Sequence, residues 1–151
     1  MYSIFQVAKW FLDKDLNMSA KKLQKLCWYA YSWYIALNNE PNDSTLNSLI
    51  DDKAEAWVHG PVFKELYIDY KHFNYEKTFA SKSINNSEDV AFLEQVYEVY
   101  GKCNGYELES ISHQELPWIN ARKGYSLTEA CSNVINDKDI FTEYLQRLNG
   151  D

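Results

Sequence analysis

Residues 19–37 read SAKKLQKLCWYAYSWYIAL and contain neither glycine nor proline. Their apolar side chains recur at steps of three and four, the spacing of one face of an α-helix. The members of this stripe are Leu23, Leu26, Cys27, Ala30, Trp33, Tyr34 and Leu37. Ser19 is placed to cap the helix by accepting a hydrogen bond from an early backbone N–H. From Leu26 onward nearly every side is apolar or aromatic, which predicts a helix inside a domain.

The residues outside this stripe leave two interpretations open. Trp28, Tyr29 and Tyr31 either pack against a second layer of the protein or face a partner, because large aromatics dominate cores and interfaces alike. Exposure of Trp28 or Tyr31 would also suit a homodimer. The first turns carry several lysines, among them Lys25, although the helix dipole favours acidic residues there. A lysine-rich start beside Trp28 is therefore a candidate recognition surface.

The flanking sequence predicts a mainly α-helical bundle. A capped helix is expected over residues 3–13, and polar loops are expected over 38–53 and 74–86. Ser87 and Asp137 are placed to cap later helices. The whole sequence is expected to fold as a compact single domain, residues 1–151, of about six or seven helices with a small accessory β-hairpin.

Composition excludes several classes of protein. The sequence has 151 residues, 46% of them hydrophobic and 16% aromatic, so it is not disordered. Its formal net charge of -7 argues against general nucleic-acid binding, which depends on neutralising phosphates. No run is long and apolar enough to span a membrane, and the N-terminus is too charged for a signal peptide. The three widely spaced cysteines fit reduced thiols, so a cytoplasmic location is expected.

Residues 54–67 hold the most informative junction, AEAWVHGPVFKELY. The alternating residues 54–58 predict a short strand, and Pro61 suits the first position of a following helix. On one interpretation this is a tight structural junction in which His59 is a hydrogen-bonding residue. On the other, His59 and the nearby aromatics form a ridge that faces a partner.

Sites for catalysis, metals and cofactors are not evident from the spacing of residues. His59, His72 and His113 do not pair with another histidine or cysteine at ligand spacing. No nucleophile elbow, P-loop or dinucleotide fingerprint is present. We therefore expect no enzyme activity, catalytic residue, metal or cofactor. A small hydrolase centred on His59 and His113, in which a Cys27–His59 or Cys131–His113 pair meets in space, remains an alternative.

Three segments, in order, resemble the Panacea domain, also called the SocA-like or phage-associated DUF4065 family. Residues 19–26 carry S-x-x-x-L-Q-K-L, residues 55–62 carry E-A-W-x-H-G-P-V, and residues 112–122 carry S-H and P-W-x-x-A-R. The resemblance implies a mainly helical domain of prophages and toxin–antitoxin operons. Members typically neutralise unrelated toxins by direct contact, and some relatives act as adaptors that deliver a toxin to a protease. No catalytic residues are carried over.

The leading hypothesis is therefore an antitoxin-like interaction protein whose partner is a cognate toxin, with a host protease as a further partner if it acts as an adaptor. The expected partner-binding residues are Lys25, Trp28, Trp57, His59, Tyr67, Trp118 and Arg122. The alternative is a phage-encoded DNA-binding or host-defence regulator that uses the N-terminal lysines. Those residues are Lys9, Lys14, Lys21, Lys22 and Lys25. No helix-turn-helix motif supports that alternative.

Overall fold

A computed structural model of the protein describes residues 1–113 and 115–150, apart from the side chain of Phe73. This part is mainly helical, as predicted, with eight helices rather than six or seven and the expected small hairpin. In sequence order the elements are α1 (Ile4–Leu12), α2 (Ala20–Leu37), β1 (Glu55–Trp57), β2 (Gly60–Val62), α3 (Lys64–Phe73), α4 (Glu76–Ala80), α5 (Ser87–Tyr100), α6 (Gly105–Ser112), α7 (Leu116–Ala121) and α8 (Asp137–Leu148).

Helix α2 lies at the centre of the fold. Helices α1, α5, α6 and α8 pack on it, as does strand β2. Every residue from 23 to 32 is buried, so the helix has no exposed face over nearly three turns. The Ser19 side chain accepts from the backbone N–H of Lys22 at 3.1 Å, which confirms the predicted cap. Trp28 and Tyr31 are buried, so they form the core and are not available for a homodimer interface.

The polar atoms of the α2 aromatics find partners on distant parts of the sequence. Trp28 donates its indole N–H to Glu115 at 3.0 Å, and the Tyr31 hydroxyl donates to Asp137 at 2.6 Å. Burial of these rings supplies apolar stabilisation, while the hydrogen bonds remove the cost of burying the polar tips. Each bond therefore fixes where a later segment can dock on α2.

The segment 74–86 was expected to be a loop, but it contains α4. Its cap comes from a distant side chain: buried Asp69 accepts from the backbone N–H groups of Lys77 and Thr78 at 3.0 and 2.9 Å. Asn74 and Tyr75 reverse the backbone with positive φ angles of 49° and 68°. This polar segment is therefore helical because Asp69, on α3, accepts hydrogen bonds from backbone N–H groups in its first turn.

Pro61 does not open a helix, as had been expected. It lies in β2, where Ala56 pairs with Pro61 and Trp57 with Gly60 in an antiparallel register. Proline is tolerated in this strand because it lies at a sheet edge, where its missing N–H removes no ladder bond. Helix α3 begins only at Lys64.

The predicted helix caps are confirmed at some positions and wrong by one residue at others. Ser3 forms a full capping box with Gln6. Asn86 and Asn136 cap α5 and α8 through their side chains, in place of Ser87 and Asp137. Asparagine and serine or aspartate are nearly equivalent caps, so the sequence alone did not separate adjacent candidates. No helix in the described part combines the length and apolarity needed to cross a bilayer.

Glu115 carries a buried carboxyl group between α2, α7 and α8. Both carboxyl oxygens accept from the Tyr144 hydroxyl at 2.8 Å, and the Arg147 guanidinium lies 3.4 Å away. Burial raises the pKa of Glu115 to about 7, although these hydrogen bonds and the arginine favour the charged form. The folded protein therefore holds a proton that the unfolded protein releases at lower pH.

We predict that Glu115→Gln flattens the pH dependence of stability between pH 4.5 and 7. In the wild type the folded state binds more protons than the unfolded state in this window, so its free energy of unfolding falls as pH rises, by up to about 3 kcal/mol. Urea unfolding at half-unit pH steps measures the slope. The matched control is Glu98→Gln on exposed α5 surface, and an equal slope in both variants would contradict the assignment.

Candidate functional site

The loop between β1 and β2 closes directly over the α2 lysine Lys25. Gly60 has a φ of 112°, a conformation that only glycine adopts readily. A Cβ atom on Gly60 would lie 2.9 Å from the Lys25 Nζ and 3.0 Å from the Ser112 Oγ. The G of the H-G-P motif is therefore required both by its backbone angle and by this close approach.

Two consecutive polar residues of α2, Gln24 and Lys25, form hydrogen bonds with the backbone of strand β2 and of the residue that follows it. The Gln24 amide forms a reciprocal pair with the backbone of Phe63, accepting from its N–H at 2.9 Å and donating to its carbonyl at 3.1 Å. Lys25, only 2% exposed, donates to the Pro61 carbonyl at 3.1 Å. These side chains supply hydrogen-bond partners for backbone groups on the side of β2 that has no neighbouring strand.

Charged groups surround the hairpin loop. Glu109 on α6 forms an ion pair with Lys21, whose Nζ lies 2.5 Å from the Glu109 Oε1, and faces the His59 Nδ1 at 3.4 Å. Burial favours the neutral form of Glu109, but its hydrogen bond with Lys21, that residue's charge and His59 outweigh it, so the pKa of Glu109 is lowered. Burial lowers the pKa of Lys25 to about 7, with Glu109 opposing the shift and Lys21 adding to it. Lys25 is thus poised to change charge near neutral pH.

Side chains from residues 112–122 hold strand β1 of the hairpin in place. Trp118 donates its indole N–H to the Trp57 carbonyl at 2.8 Å, and Arg122 donates to the Ala56 carbonyl at 2.8 Å. The His113 ring stacks on Trp118 with centroids 4.5 Å apart. Burial lowers the pKa of His113. These side chains position β1 rather than present themselves to solvent.

Aromatic residues form the outer face of this region. The side chain of His59 is 72% exposed, Tyr67 and Tyr70 are 38% and 43% exposed, and Trp57 is half-buried. Trp57 packs edge-on against Tyr67 with centroids 5.1 Å apart. Between these rings and α2 lies a cavity of about 190 Å³, named here the hairpin pocket. Its lining is Ala20, Lys21, Gln24, Lys25, Trp57, His59, Val62, Leu66, Tyr67, Tyr70 and Tyr75.

The seven residues expected to bind a partner divide into two groups. Trp57, His59 and Tyr67 reach the surface and meet around the hairpin pocket. The others lie in the interior as core or supporting residues: Lys25, Trp28, Trp118 and Arg122. In this fold only Lys25 of that buried group lines the hairpin pocket.

Sequence reasoning missed three residues of the site. Glu109 gave no signal, because an acid on a short helix is ordinary until its neighbours in space are known. Tyr70 lies on α3, beyond the E-A-W-x-H-G-P-V segment, and was not singled out. Tyr75 lay in a segment interpreted as a loop.

For the hydrolase alternative, no hydrogen bond joins a cysteine to a histidine among the residues that the structure describes, although His59 and Cys131 line one cavity beside the hairpin. Cys27 is fully buried and burial raises the pKa of its thiol. Cys131 accepts a weak hydrogen bond from the Asn133 N–H, and the His59 and His113 rings face Glu109 and Trp118. Across residues 1–113 and 115–150, no three acidic, histidine or cysteine residues converge as metal ligands.

The comparison with protein families matches residues 23–119 to "Antitoxin SocA-like, Panacea domain". The chain belongs to this family. The match includes the hairpin, α3 and most of the hairpin pocket, while Lys21 and Arg122 lie just outside it. Searches of curated proteins and of solved structures gave no match.

We predict that Lys25→Met stabilises the fold more at pH 6 than at pH 9.5. Because burial holds the pKa of Lys25 below its ordinary value of 10.5, the unfolded protein binds a proton that the folded protein loses above pH 7. Relative to the variant, the free energy of unfolding of the wild type therefore rises by up to about 1.4 kcal/mol for each pH unit above 7. Chemical unfolding of both proteins across this range measures the difference.

The matched control for this experiment is Lys22→Met. Lys22 lies on the same helix, but its ammonium binds the Gly101 carbonyl outside the hairpin pocket. A difference between Lys25→Met and wild type that stays constant with pH would contradict a buried amine that loses its charge near neutrality.

Proposed function

We propose that this Panacea-domain protein is an antitoxin-like interaction protein that neutralises a protein toxin by direct contact. The contact region is the hairpin surface, defined as Trp57, His59, Tyr67 and Tyr70 around the hairpin pocket. The observation behind this proposal is that these residues meet at the surface, two on the hairpin and two on the adjoining helix α3, and that buried residues hold the hairpin from two sides.

Two physical features support this proposal. Tryptophan and tyrosine are enriched among the residues that dominate binding energy at protein interfaces. The hairpin surface is also preorganised, because Lys25, Trp118 and the Gln24–Phe63 pair fix its backbone before a partner arrives. Less conformational entropy is then lost on binding.

Long-range charge supports a basic partner. A net charge of -7 would steer a basic toxin towards the protein and raise the association rate at low salt. Neutralisation then proceeds by blocking the toxin or by delivering it to a host protease. Rescue that persists in a protease-deficient host would identify blocking, and rescue that is lost would identify delivery.

The lysines that the DNA-binding alternative would use to contact phosphates are already engaged in contacts within the protein or are buried. Lys9 donates to the Ser81 carbonyl, Lys14 pairs with Glu94, and Lys22 binds the Gly101 carbonyl. Lys21 pairs with Glu109, and Lys25 is buried. A phosphate-binding surface would have to break several of these contacts.

The test is growth rescue on co-expression with the product of the adjacent reading frame, after that product has proved toxic alone. We expect Trp57→Ala and Tyr67→Ala each to weaken toxin binding by about 30-fold or more, the loss typical of an interface hot spot of about 2 kcal/mol. Isothermal calorimetry measures binding, and circular dichroism checks folding.

Leu148→Ala is the control, because Leu148 is an exposed apolar residue on α8 that does not line the hairpin pocket. It should bind and rescue like the wild type. Full rescue by folded Trp57→Ala and Tyr67→Ala variants would remove the hairpin surface from the proposal.

A further inference from the structure

We propose that the hairpin pocket receives one large apolar side chain of the protein partner, such as a leucine, and that basic residues lie beside that side chain on the partner. This inference rests on the proposed function, because it names the chemistry that the hairpin surface recognises. It is carried by the apolar lining and the size of the pocket, and by the acidic residues next to it.

The polar residues around the pocket contribute little polar surface to it. Lys25 donates to the Pro61 carbonyl, and the Gln24 amide is paired with the backbone of Phe63. Because their polar ends are engaged in these bonds, both side chains line the pocket mainly with methylene groups. Most of the remaining lining is aromatic or aliphatic: Trp57, Val62, Leu66, Tyr67, Tyr70 and Tyr75. The pocket therefore favours an apolar group, since a polar group placed there would lose its hydrogen bonds with water.

The volume of the pocket suits a single side chain. It is about 190 Å³, which is below the range of about 300–1,000 Å³ typical of small-molecule sites. An apolar protein cavity of about 150 Å³ accommodates benzene, so the hairpin pocket has room for a leucine side chain or an apolar group of similar size. A free small molecule of ordinary ligand size would not fit.

The pocket is open to a partner at its aromatic rim. Tyr67 and Tyr70 are exposed, whereas Leu66 and Tyr75 are buried in the inner wall. An incoming apolar side chain would pass between the exposed rings and pack on the buried ones. Water in the pocket finds few hydrogen-bond partners there, so its displacement by an apolar group is favourable.

Carboxylates lie beside the pocket. Glu55 pairs with Val62 across the hairpin, and Val62 lines the pocket. Glu65 immediately precedes Leu66, which lines it as well. Burial raises the pKa of Asp52, and the negative charges of Glu65 and Glu55 add to the shift. The three carboxylates are therefore close enough to repel one another.

This repulsion is not relieved within the described part of the protein. No ion pair there involves any of the three carboxylates. Lys53 pairs instead with Asp137. Lys21 pairs with Glu109, and Lys64 offsets only one of the three charges. A lysine or arginine on the partner would relieve the repulsion on binding, whereas a partner carboxylate would increase it.

The experiment titrates the protein with N-acetyl-Lys-Leu-Lys-amide, a peptide that carries a leucine between two basic residues. At pH 8 the Lys25 amine is mainly neutral, because burial lowers its pKa to about 7, so it does not repel the peptide. We expect a saturable shift of the Trp57 indole N–H resonance, with a Kd of about 1–10 mM for one anchoring side chain. The leucine methyl resonances of the peptide should move upfield, because aromatic rings line the pocket.

The matched peptide has glutamine in place of leucine. It should bind at least about tenfold more weakly, since burial of a leucine side chain is worth about that factor in affinity or more. This comparison uses the wild-type protein and so does not depend on the folding of any variant. Equal binding of the leucine and glutamine peptides would overturn the inference.

Two variants locate the effect. Ala20→Phe fills the pocket without altering the hairpin, because Ala20 lines the pocket at the start of α2. It should weaken binding of the leucine peptide by about tenfold or more, whereas Ala91→Phe adds the same ring to exposed α5 surface and should leave binding unchanged. Circular dichroism checks the folding of both variants. Unchanged binding by folded Ala20→Phe would overturn the assignment to the hairpin pocket.

A third peptide, N-acetyl-Glu-Leu-Glu-amide, tests the basic neighbours. It should bind about threefold more weakly than the lysine peptide at low salt, and the difference should shrink at high salt. The difference should also shrink in the double variant Asp52→Asn and Glu65→Gln. Equal affinity of the two leucine peptides at low salt would overturn the expectation of basic neighbours.

The outcomes separate this inference from the proposed function. If toxin rescue requires Trp57 and Tyr67 but Ala20→Phe rescues fully and the leucine peptide does not bind, the inference is wrong and the proposed function stands. If the leucine peptide binds in the pocket but rescue is insensitive to Trp57→Ala and Tyr67→Ala, the pocket is a site for apolar side chains and the proposed function fails.

Discussion

Helix α2 is buried on every side over residues 23–32, and much of the surrounding architecture follows from that burial. The polar side chains of such a helix find partners in other segments of the protein or remain unsatisfied at a cost in free energy, as the Ser32 hydroxyl does among the described residues. Gln24 bonds to the backbone of Phe63, just after strand β2, and Lys25 bonds to the Pro61 carbonyl within that strand. Trp28 donates to Glu115. The positions of the hairpin and of α7 follow from these hydrogen bonds as much as from apolar packing.

This arrangement places unusual chemistry beneath the hairpin surface. Lys25 stands where a simple core would have an apolar residue, and its burial disfavours the charge that the lysine would carry in water. This arrangement requires glycine at position 60, because the Cβ atom of any other residue there would lie 2.9 Å from the Lys25 Nζ. The exposed aromatic residues and the buried Lys25 amine therefore belong to one structural unit, formed by the hairpin, α3 and the part of α2 that they cover.

The parts of the fold that are encoded locally could be predicted from the sequence. The α2 stripe, the Ser3 and Ser19 caps and strand β1 all follow from spacing and residue type. Helix α4 was missed because its cap, Asp69, comes from another helix. Pro61 was misplaced because proline suits both a helix start and an edge strand, and only the contacts of Lys25 and Gln24 decide between them.

The candidate site could be predicted only in part. Trp57, His59 and Tyr67 lie together because they belong to or closely follow one short hairpin, and their role in binding a partner stays a prediction. The burial of Lys25 and Arg122 was not foreseen, since charged residues are rarely buried and the sequence does not reveal their backbone partners. Glu109 joins the site through a contact that spans 50 residues, which no local pattern encodes.

Hydrogen–deuterium exchange of the full-length protein, free and bound to its toxin, would show whether the hairpin surface is the contact region. We predict that binding slows exchange in residues 55–70, which contain the hairpin and the start of α3. Exchange around the exposed residues Val99 and Leu148 should stay unchanged. Protection confined to that distant surface, with residues 55–70 exchanging as in the free protein, would contradict the assignment of the hairpin surface as the contact region.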